Sequence, residues 1–458
     1  MARTADFGDN RPMSILRPTR RLVVAGLASA LAAPALVGRA AADDVVNPYD
    51  FGLSNESQGM DQSAAIQAAI DAAATSGKDV RLPSGEYLVR ELTLPSKIRI
   101  IGSARGTYLD SFDGAPVFRI GTVSGIVLDG ISFGGAVTEA HIILDGTETI
   151  TLRDCAFGGG SVAISAWQAS ATIENCSFAE LTDAAIHSVN SRGMLIRGNR
   201  ISGCGNAGIR IWRDASGHDG SIVTGNIISR IDWTGGGNGQ NGNGVNVYQA
   251  DSVIVADNVI SDCAFTAVRV NAGRNSQIRG NTCLNSGEVG IFSEFGFSGS
   301  VIANNIVDGA ATGIDITNLD TGGHVATCTG NIVRNITAAS AVNPDTRPVG
   351  IYAEAETVVA SNTIENVPGV GIVAGNGTFL RNVVISDNVL YAVTIGIGVS
   401  VVRDPSPGAV SVTGNLIGGP LQHGIVGLEW ETIASDDLAR DAASYPHVTI
   451  ANNTIART

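Results

Sequence analysis

The sequence predicts an all-β chain wound as a right-handed parallel β-helix, a solenoid of about thirteen rungs. Three observations predict it. First, a short phrase recurs along the chain: apolar, two variable residues, Asn, one variable residue, apolar. Ile196-Arg-Gly-Asn199-Arg-Ile201 is one copy, and others surround Asn226, Asn258, Asn281, Asn305, Asn331, Asn362, Asn388, Asn415 and Asn453. Three earlier copies replace the Asn with Ile131, Cys155 or Cys176, which makes thirteen, most of them 21 to 27 residues apart. A period of this length marks a repeat architecture. Second, a small residue and alternating apolar positions stand between the copies, as in Gly208-Ile209-Arg-Ile211 and Gly244-Val245-Asn-Val247. Alternation is the signature of strands. Third, 57 Gly with only 16% charged and 5% aromatic residues in 458 suits many tight turns between short strands. Leucine-rich and helical repeats lack their own periodicities here, and a propeller blade needs a longer period.

In such a coil successive rungs lie about 4.8 Å apart, so equivalent residues stack into columns. The apolar positions of each phrase are the expected interior. An Asn recurring at one turn is expected to build a ladder of side-chain amides and to tolerate left-handed backbone. Cys155 and Cys176 fall in that column on adjacent rungs, where either buried thiols or a disulfide fits. Cys204 and Cys263 share a column two rungs apart, too far to bridge.

The chain divides into three parts. Residues 1–42 read as an export signal: Arg20-Arg21 precede an apolar run from Leu22 to Val37, and Ala40-Ala41-Ala42 offers a cleavage site. The Thr19-Arg20-Arg21-Leu22-Val23-Val24 stretch has the twin-arginine layout, with an ordinary secretory signal as the alternative. The expected location is periplasmic or secreted. Residues 43–100 are the N-terminal cap, in which Asp61–Ala74 forms an amphipathic helix with Ile66 and Ile70 on one face and Gly77 past its end. Residues 101–458 hold the repeats, broken at 427–446 by a cap-like insertion in which Ser435 to Arg440 start a short helix. A final strand is expected from Val448 to Ile455.

Tyr49-Asp50-Phe51-Gly52, the Asp61–Ala74 helix and Leu82-Pro83-Ser84-Gly85-Glu86-Tyr87 together resemble the opening of pectate-lyase-like β-helix proteins. That superfamily spans polysaccharide lyases, glycoside hydrolases, uronate epimerases and phage tailspikes. The twin-arginine signal beside Asn-bearing rungs resembles a family of twin-arginine-translocated repeat proteins. The resemblance implies the fold and an extended polysaccharide ligand, in which uronates are one option. It implies no specific reaction, because the chain carries no Asn-Thr-Asp, Asp-Asp pair on a rung, Arg-Ile-Lys or Asp-Pro-His-Asp signature.

Charge narrows the partners. The chain carries −14, and loss of residues 1–42 removes six Arg and two Asp, leaving 23 basic against 41 acidic side chains, a net charge of −18. Such a surface repels nucleic acid and anionic membranes, and no later segment is apolar enough to span a bilayer. A polyanionic sugar would need a local basic patch or a bridging calcium ion. The six His show no metal-ligand spacing, so neither a resident metal nor another cofactor is expected. Gly237-Asn-Gly239-Gln-Asn-Gly242 spells a dinucleotide motif but sits in a 32-residue period with no strand–helix unit around it.

The candidate site lies on the outward strand face. Where Ile209 and Ile211 point in, Arg210 and Trp212 point out. The same positions on neighbouring rungs hold His187, then Asn246 and Tyr248, Arg269 and Asn271, Phe292 and Glu294, Asp315, then Tyr352 and Glu354. Aromatic, basic and acidic groups gathered on middle rungs suit a sugar-binding strip. Glu294 and Asp315 stand on adjacent rungs about 8 Å apart. That spacing suits a carboxyl pair for inverting hydrolysis, with Arg269 holding an anion. The competing expectation is a surface Arg269–Glu294 ion pair on a non-catalytic structural or adhesive rod of the cell envelope. If the chain is an enzyme, lyase, hydrolase and epimerase chemistry all stay open.

Overall fold

A buried column of asparagines organises the coil. In the computed structural model, which describes residues 44–457 except 56–58, 104, 105, 136, 238 and 406, each Asn amide reaches the Asn of the next rung. Asn281 is typical. Its Nδ2 donates to Asn305 Oδ1 (3.0 Å) and to Val255 O (2.9 Å), while its Oδ1 accepts from the backbone N (3.1 Å) and Nδ2 (2.9 Å) of Asn258. The same pattern runs from Asn199 to Asn453. An amide with two donors and one doubly used acceptor satisfies each turn, so the polar column is hydrogen-bonded although buried. The left-handed backbone falls one residue earlier than expected. Gly198, Gly225, Asp257, Gly280, Asn304, Gly330, Ser361, Asp387, Gly414 and Asn452 precede the ladder residues with φ between 56° and 71°. Small or locally hydrogen-bonding residues at that corner explain why it varies while the Asn does not.

The thirteen phrase copies become thirteen strands of one parallel sheet, from Ser124–Asp129 to Val448–Ala451. Three short strands, at Val45–Val46, Asp79–Arg81 and Arg99–Ile101, precede them and bring the sheet to 16 strands. The solenoid makes about fourteen turns. The strands after each Asn and the alternating strands beyond them form two further faces, joined in a 27-stranded sheet. Strand pairing is parallel, with register shifts between Trp212 and Gly217 and between Val367 and Val370, except at an antiparallel hairpin, Thr432–Ser435 against His423–Glu429.

Branched aliphatic residues fill the interior in columns, for example Ile196, Val223, Val255, Ile278 and Ile302. Where the Asn column is absent, phenylalanines take over the stacking. Phe133, Phe157 and Phe178 lie with ring centroids 4.7 and 4.9 Å apart and planes within 9°. That is the rung spacing imposed on three rings. Cys155 and Cys176 are free, buried thiols there; the Cys176 Sγ donates to Leu152 O at 3.7 Å.

One helix, Ser63–Ser76, starts two residues later than expected because Asp61 Oδ1 takes the Ser63 N–H (2.9 Å). Ile66, Ala69, Ile70 and Ala73 form its buried stripe, and Gly77 closes it in the left-handed conformation (φ 68°). Near the C-terminus Asp437 caps a short helix, Leu438–Asp441, by accepting from Arg440 N. The expected final strand divides into Val448–Ala451 and Thr454–Arg457, because Asn453 turns the chain between faces. Residues 1–42 lie outside the described residues, and no described helix is long and apolar enough to cross a membrane.

Candidate functional site

Strand register brings the expected site residues into two neighbouring columns on the third face. His187, Arg210, Asn246, Arg269, Phe292, Asp315 and Tyr352 pair successively. Trp212, Tyr248, Asn271 and Glu294 form the second column, and Glu354 follows directly after the strand Val349–Ala353.

These columns are not an open strip. The lengthened period folds back over them through Gly239, Gln240 and Asn241. Asn241 Oδ1 accepts from Arg210 Nη2 (3.0 Å), and the Gln240 carbonyl accepts from Asn246 Nδ2 (3.2 Å). Gly239, at φ 114°, lies so close that a Cβ there would stand 2.1 Å from Arg269 Nη1. The glycines are therefore packing devices against side chains, not a phosphate cradle. Trp233 braces the loop, its ring edge-on to Phe265 (5.0 Å) and its Nε1 donating to Gly237 O (3.0 Å).

Beneath this cover the Arg269–Glu294 pair is buried, not the surface contact expected: the side chains are 7% and 2% exposed. Arg269 Nε and Nη2 donate to the two Glu294 oxygens (2.5 and 2.7 Å), and Nη1 donates to Glu288 Oε2 (3.0 Å). Asn271 Nδ2 completes the Glu294 shell at 2.9 Å. Thr266 Oγ1 and Asn343 Nδ2 donate to Glu288. Arg269 also lies 5.0 Å from the Phe292 centroid. Two carboxylates thus face one guanidinium. Burial raises the Glu294 pKa and Arg269 opposes that rise; burial works against the Arg269 charge, which Glu294 and Glu288 restore.

A second arginine repeats the arrangement. Arg210 makes a bidentate contact with Asp183 (2.9 and 2.9 Å) and lies 5.1 Å from the Trp212 ring. His187 meets the same ring edge-on at 5.1 Å. Burial, with Arg210 adding, lowers the His187 pKa to about 4, so the imidazole is neutral at neutral pH. Asp183 and Glu288 escaped the sequence reading. Each stands in a turn three residues before an inward Ile (Ile186, Ile291), a position that apolar periodicity does not weigh. Comparing that single turn column from rung to rung would have found both acids.

Two cavities open on this face. One of about 420 Å³ is walled by Trp212 and Tyr248, with Asn246, Asn271, Arg269 and Glu294 among its lining. The other, about 160 Å³, lies against Asp315, Phe292, Tyr352, Glu288, Asn343 and Arg347. Glu294 and Asp315 therefore open onto different cavities. Asp315 Oδ1 is sealed from solvent without a hydrogen-bond partner, although the side chain as a whole is only partly buried. Burial drives its pKa up to about 8; Thr317 opposes this, and Glu354, Glu294 and Glu288 add to it. Glu354 rises to about 7, again chiefly by burial, though Leu319 N donates to it at 2.8 Å. Arg347 stands 5.9 Å from the Tyr352 ring. Among the described residues no three His, Cys, Asp or Glu side chains converge as metal ligands would. The arrangement offers aromatic walls and fixed amides in one cavity, and a protonated carboxyl in the other.

Comparison with known proteins agrees with this architecture. No curated protein matches the chain. Among solved structures, alginate lyase AlyF-OU02 is 15% identical with a TM-score of 0.51, covering 90% of this chain and 98% of its own. PfbA, a surface adhesin of Streptococcus pneumoniae, is 14% identical (TM-score 0.46; 90% and 92% covered). The pre-mature bacteriophage phi29 gene product 12 is 12% identical (TM-score 0.49; 83% of this chain), and the chain spans only 65% of its length. At such identities the likeness concerns the fold alone. Residues 45–117 match a family described as rhamnogalacturonase A/epimerase, pectate lyase-like. The family described as right handed beta helix region matches residues 140–329 and 216–379, together more than half of the chain, so the protein belongs to the right-handed β-helix family.

Proposed function

We propose that this β-helix binds an extended polysaccharide along its third face, in the cleft that Trp212 and Tyr248 line. The observation that carries the reading is the pairing of those two aromatic side chains with side-chain amides fixed from below. Tyr248 is 38% exposed, the two rings meet at 6.3 Å, and Trp212 Nε1 donates to Asn246 Oδ1 (3.3 Å). Aromatic faces receive the C–H surface of a sugar ring, and fixed amides receive its hydroxyls. The fold itself is compatible with either processing or holding a glycan. The test is a glycan panel on the chain lacking residues 1–42, read by calorimetry together with reducing-end and unsaturated-end assays. Binding that Trp212→Ala and Tyr248→Ala each weaken at least about tenfold, with unchanged melting, supports the reading. A panel without binding or product favours the structural rod.

Asp315 favours a second, catalytic reading. A carboxyl that keeps its proton near neutral pH is equipped as a general acid. In that reading Arg269 and Glu294, already committed to each other, are positioning residues, and Asp315 is the group that touches substrate.

The remaining parts of the chain fit an exported protein. The helix Ser63–Ser76 packs on the first strands, Val45–Val46 and Asp79–Arg81, where it shields unpaired strand edges. Residues 1–42 serve as a twin-arginine signal cleaved near Ala42, which delivers the folded coil to the periplasm or beyond. Arg20→Lys with Arg21→Lys should leave full-length precursor inside the cell; normal processing of the double variant would assign an ordinary secretory route.

A further inference from the structure

We propose that the Trp212–Tyr248 cleft selects a neutral glycan and rejects polyuronates, an inference that rests on the reading of the cleft as a glycan site. The argument is a balance of charge at the cleft floor. Arg269 is the single cation among the cleft's lining residues, and its guanidinium is already committed. Nε and Nη2 face the Glu294 carboxylate, Nη1 faces Glu288, and the Gly239 backbone lies over it. Two carboxyl groups thus share one guanidinium, Glu294 in the lining of the cleft and Glu288 in that of the smaller cavity, so Arg269 has no unmatched charge to offer a ligand. The next cation along the face, Arg210, is held by both oxygens of Asp183 and covered by Asn241. His187 beside Trp212 is neutral at neutral pH.

A sugar carboxylate entering here would find no free guanidinium and would face the partly compensated Glu294 across the cavity. Water would have to be removed from that carboxylate without a new charge partner, which is costly. A neutral sugar meets none of this. Its hydroxyls find the Asn246 and Asn271 side chains, and its apolar face finds Trp212 and Tyr248. Acidity of the whole chain acts in the same direction, since an excess of 18 negative charges beyond residue 42 slows the approach of a polyanion.

The experiment titrates the chain lacking residues 1–42 with oligosaccharides of equal length. Neutral gluco-, xylo-, manno- and galacto-oligosaccharides are compared with oligogalacturonate, oligomannuronate and oligoguluronate by calorimetry and Trp fluorescence. The expected result is binding of a neutral series with affinity unchanged from low to high salt, and every oligouronate weaker by about tenfold or more. Glu288→Gln, which removes one carboxylate from Arg269 and keeps the side-chain shape, should narrow that gap. An oligouronate that binds as tightly as the best neutral sugar, with affinity falling as salt rises, overturns the inference while leaving the cleft as a glycan site. If no sugar of either class binds, the glycan reading itself falls and this inference with it.

Discussion

Replacing Asp315 with Asn tests whether the fold holds a protonated carboxyl on this face. The side chain keeps its shape and loses its proton equilibrium. In the unfolded chain the Asp titrates at 3.8, and in the folded chain at about 8. Below the unfolded value both states carry the proton. Between the two values the folded chain keeps a proton that the unfolded chain has released, so folding stability falls as pH rises through that window and is level above it. Four units would correspond to about 5–6 kcal/mol for a fully sealed group. Partial solvent contact of the side chain reduces the expected contribution to about 2–3 kcal/mol. The uncharged amide of the Asp315→Asn variant has no such penalty, so the variant should gain about 2–3 kcal/mol on wild type between about pH 4 and pH 8. That gain is read as melting curves that converge in acid and separate by several degrees near pH 8. Parallel curves across the window would refute the buried proton and with it the general-acid reading of Asp315.

Two further substitutions probe the coil and its cover. Asn281→Leu strands Asn258 N and one Asn258 Nδ2 hydrogen and removes a donor from Val255 O, while Asn305 Oδ1 keeps only the residue 281 backbone N–H, and should destabilise the protein by about 3–5 kcal/mol in chemical denaturation; a loss below about 1 kcal/mol would mean that water replaces the amide. Gly239→Ala meets both a positive φ and Arg269, and should cost about 1–3 kcal/mol and weaken glycan binding. Gly236→Ala, whose Cβ would meet nothing within 4 Å, is the matched control and should leave binding intact.

The coil was readable because its physics is local and repeated. Each phrase sets two inward apolar positions and one turn amide, and the same choices on successive rungs place equivalent residues in register. Register then carried His187, Arg210, Asn246, Arg269, Phe292, Asp315 and Tyr352 into one column, as alternation required. Alternation says which way a side chain points but not what lies above it. A strip read as solvent-facing is half covered, and an ion pair read as superficial is buried, because the Gly239–Asn241 segment folds back over Arg269 and Arg210. Glu288 and Asp183 were invisible for the complementary reason: they sit in turns, where composition is polar whether or not the group is buried.

The irregularities of the repeat therefore say more about ligand binding than the repeat does. The Asn ladder advances one rung at every step, whatever length of chain separates its members. Extra residues must leave the coil on one of its other faces. The two longest steps between interior rungs run from Asn226 to Asn258 and from Asn331 to Asn362, separations of 32 and 31 residues. The first supplies Gly239 and Gln240 to the larger cavity, and the second supplies Asn343, Asp345 and Arg347 to the smaller one. Both insertions land on the third face, flanking the rungs that carry Arg269, Phe292 and Asp315. A uniform solenoid presents a flat sheet, which has no walls to hold a ligand. Here the coil supplies rigid, stacked side chains as a floor and the two lengthened periods supply the walls, so the function of this chain is to be sought where its period fails.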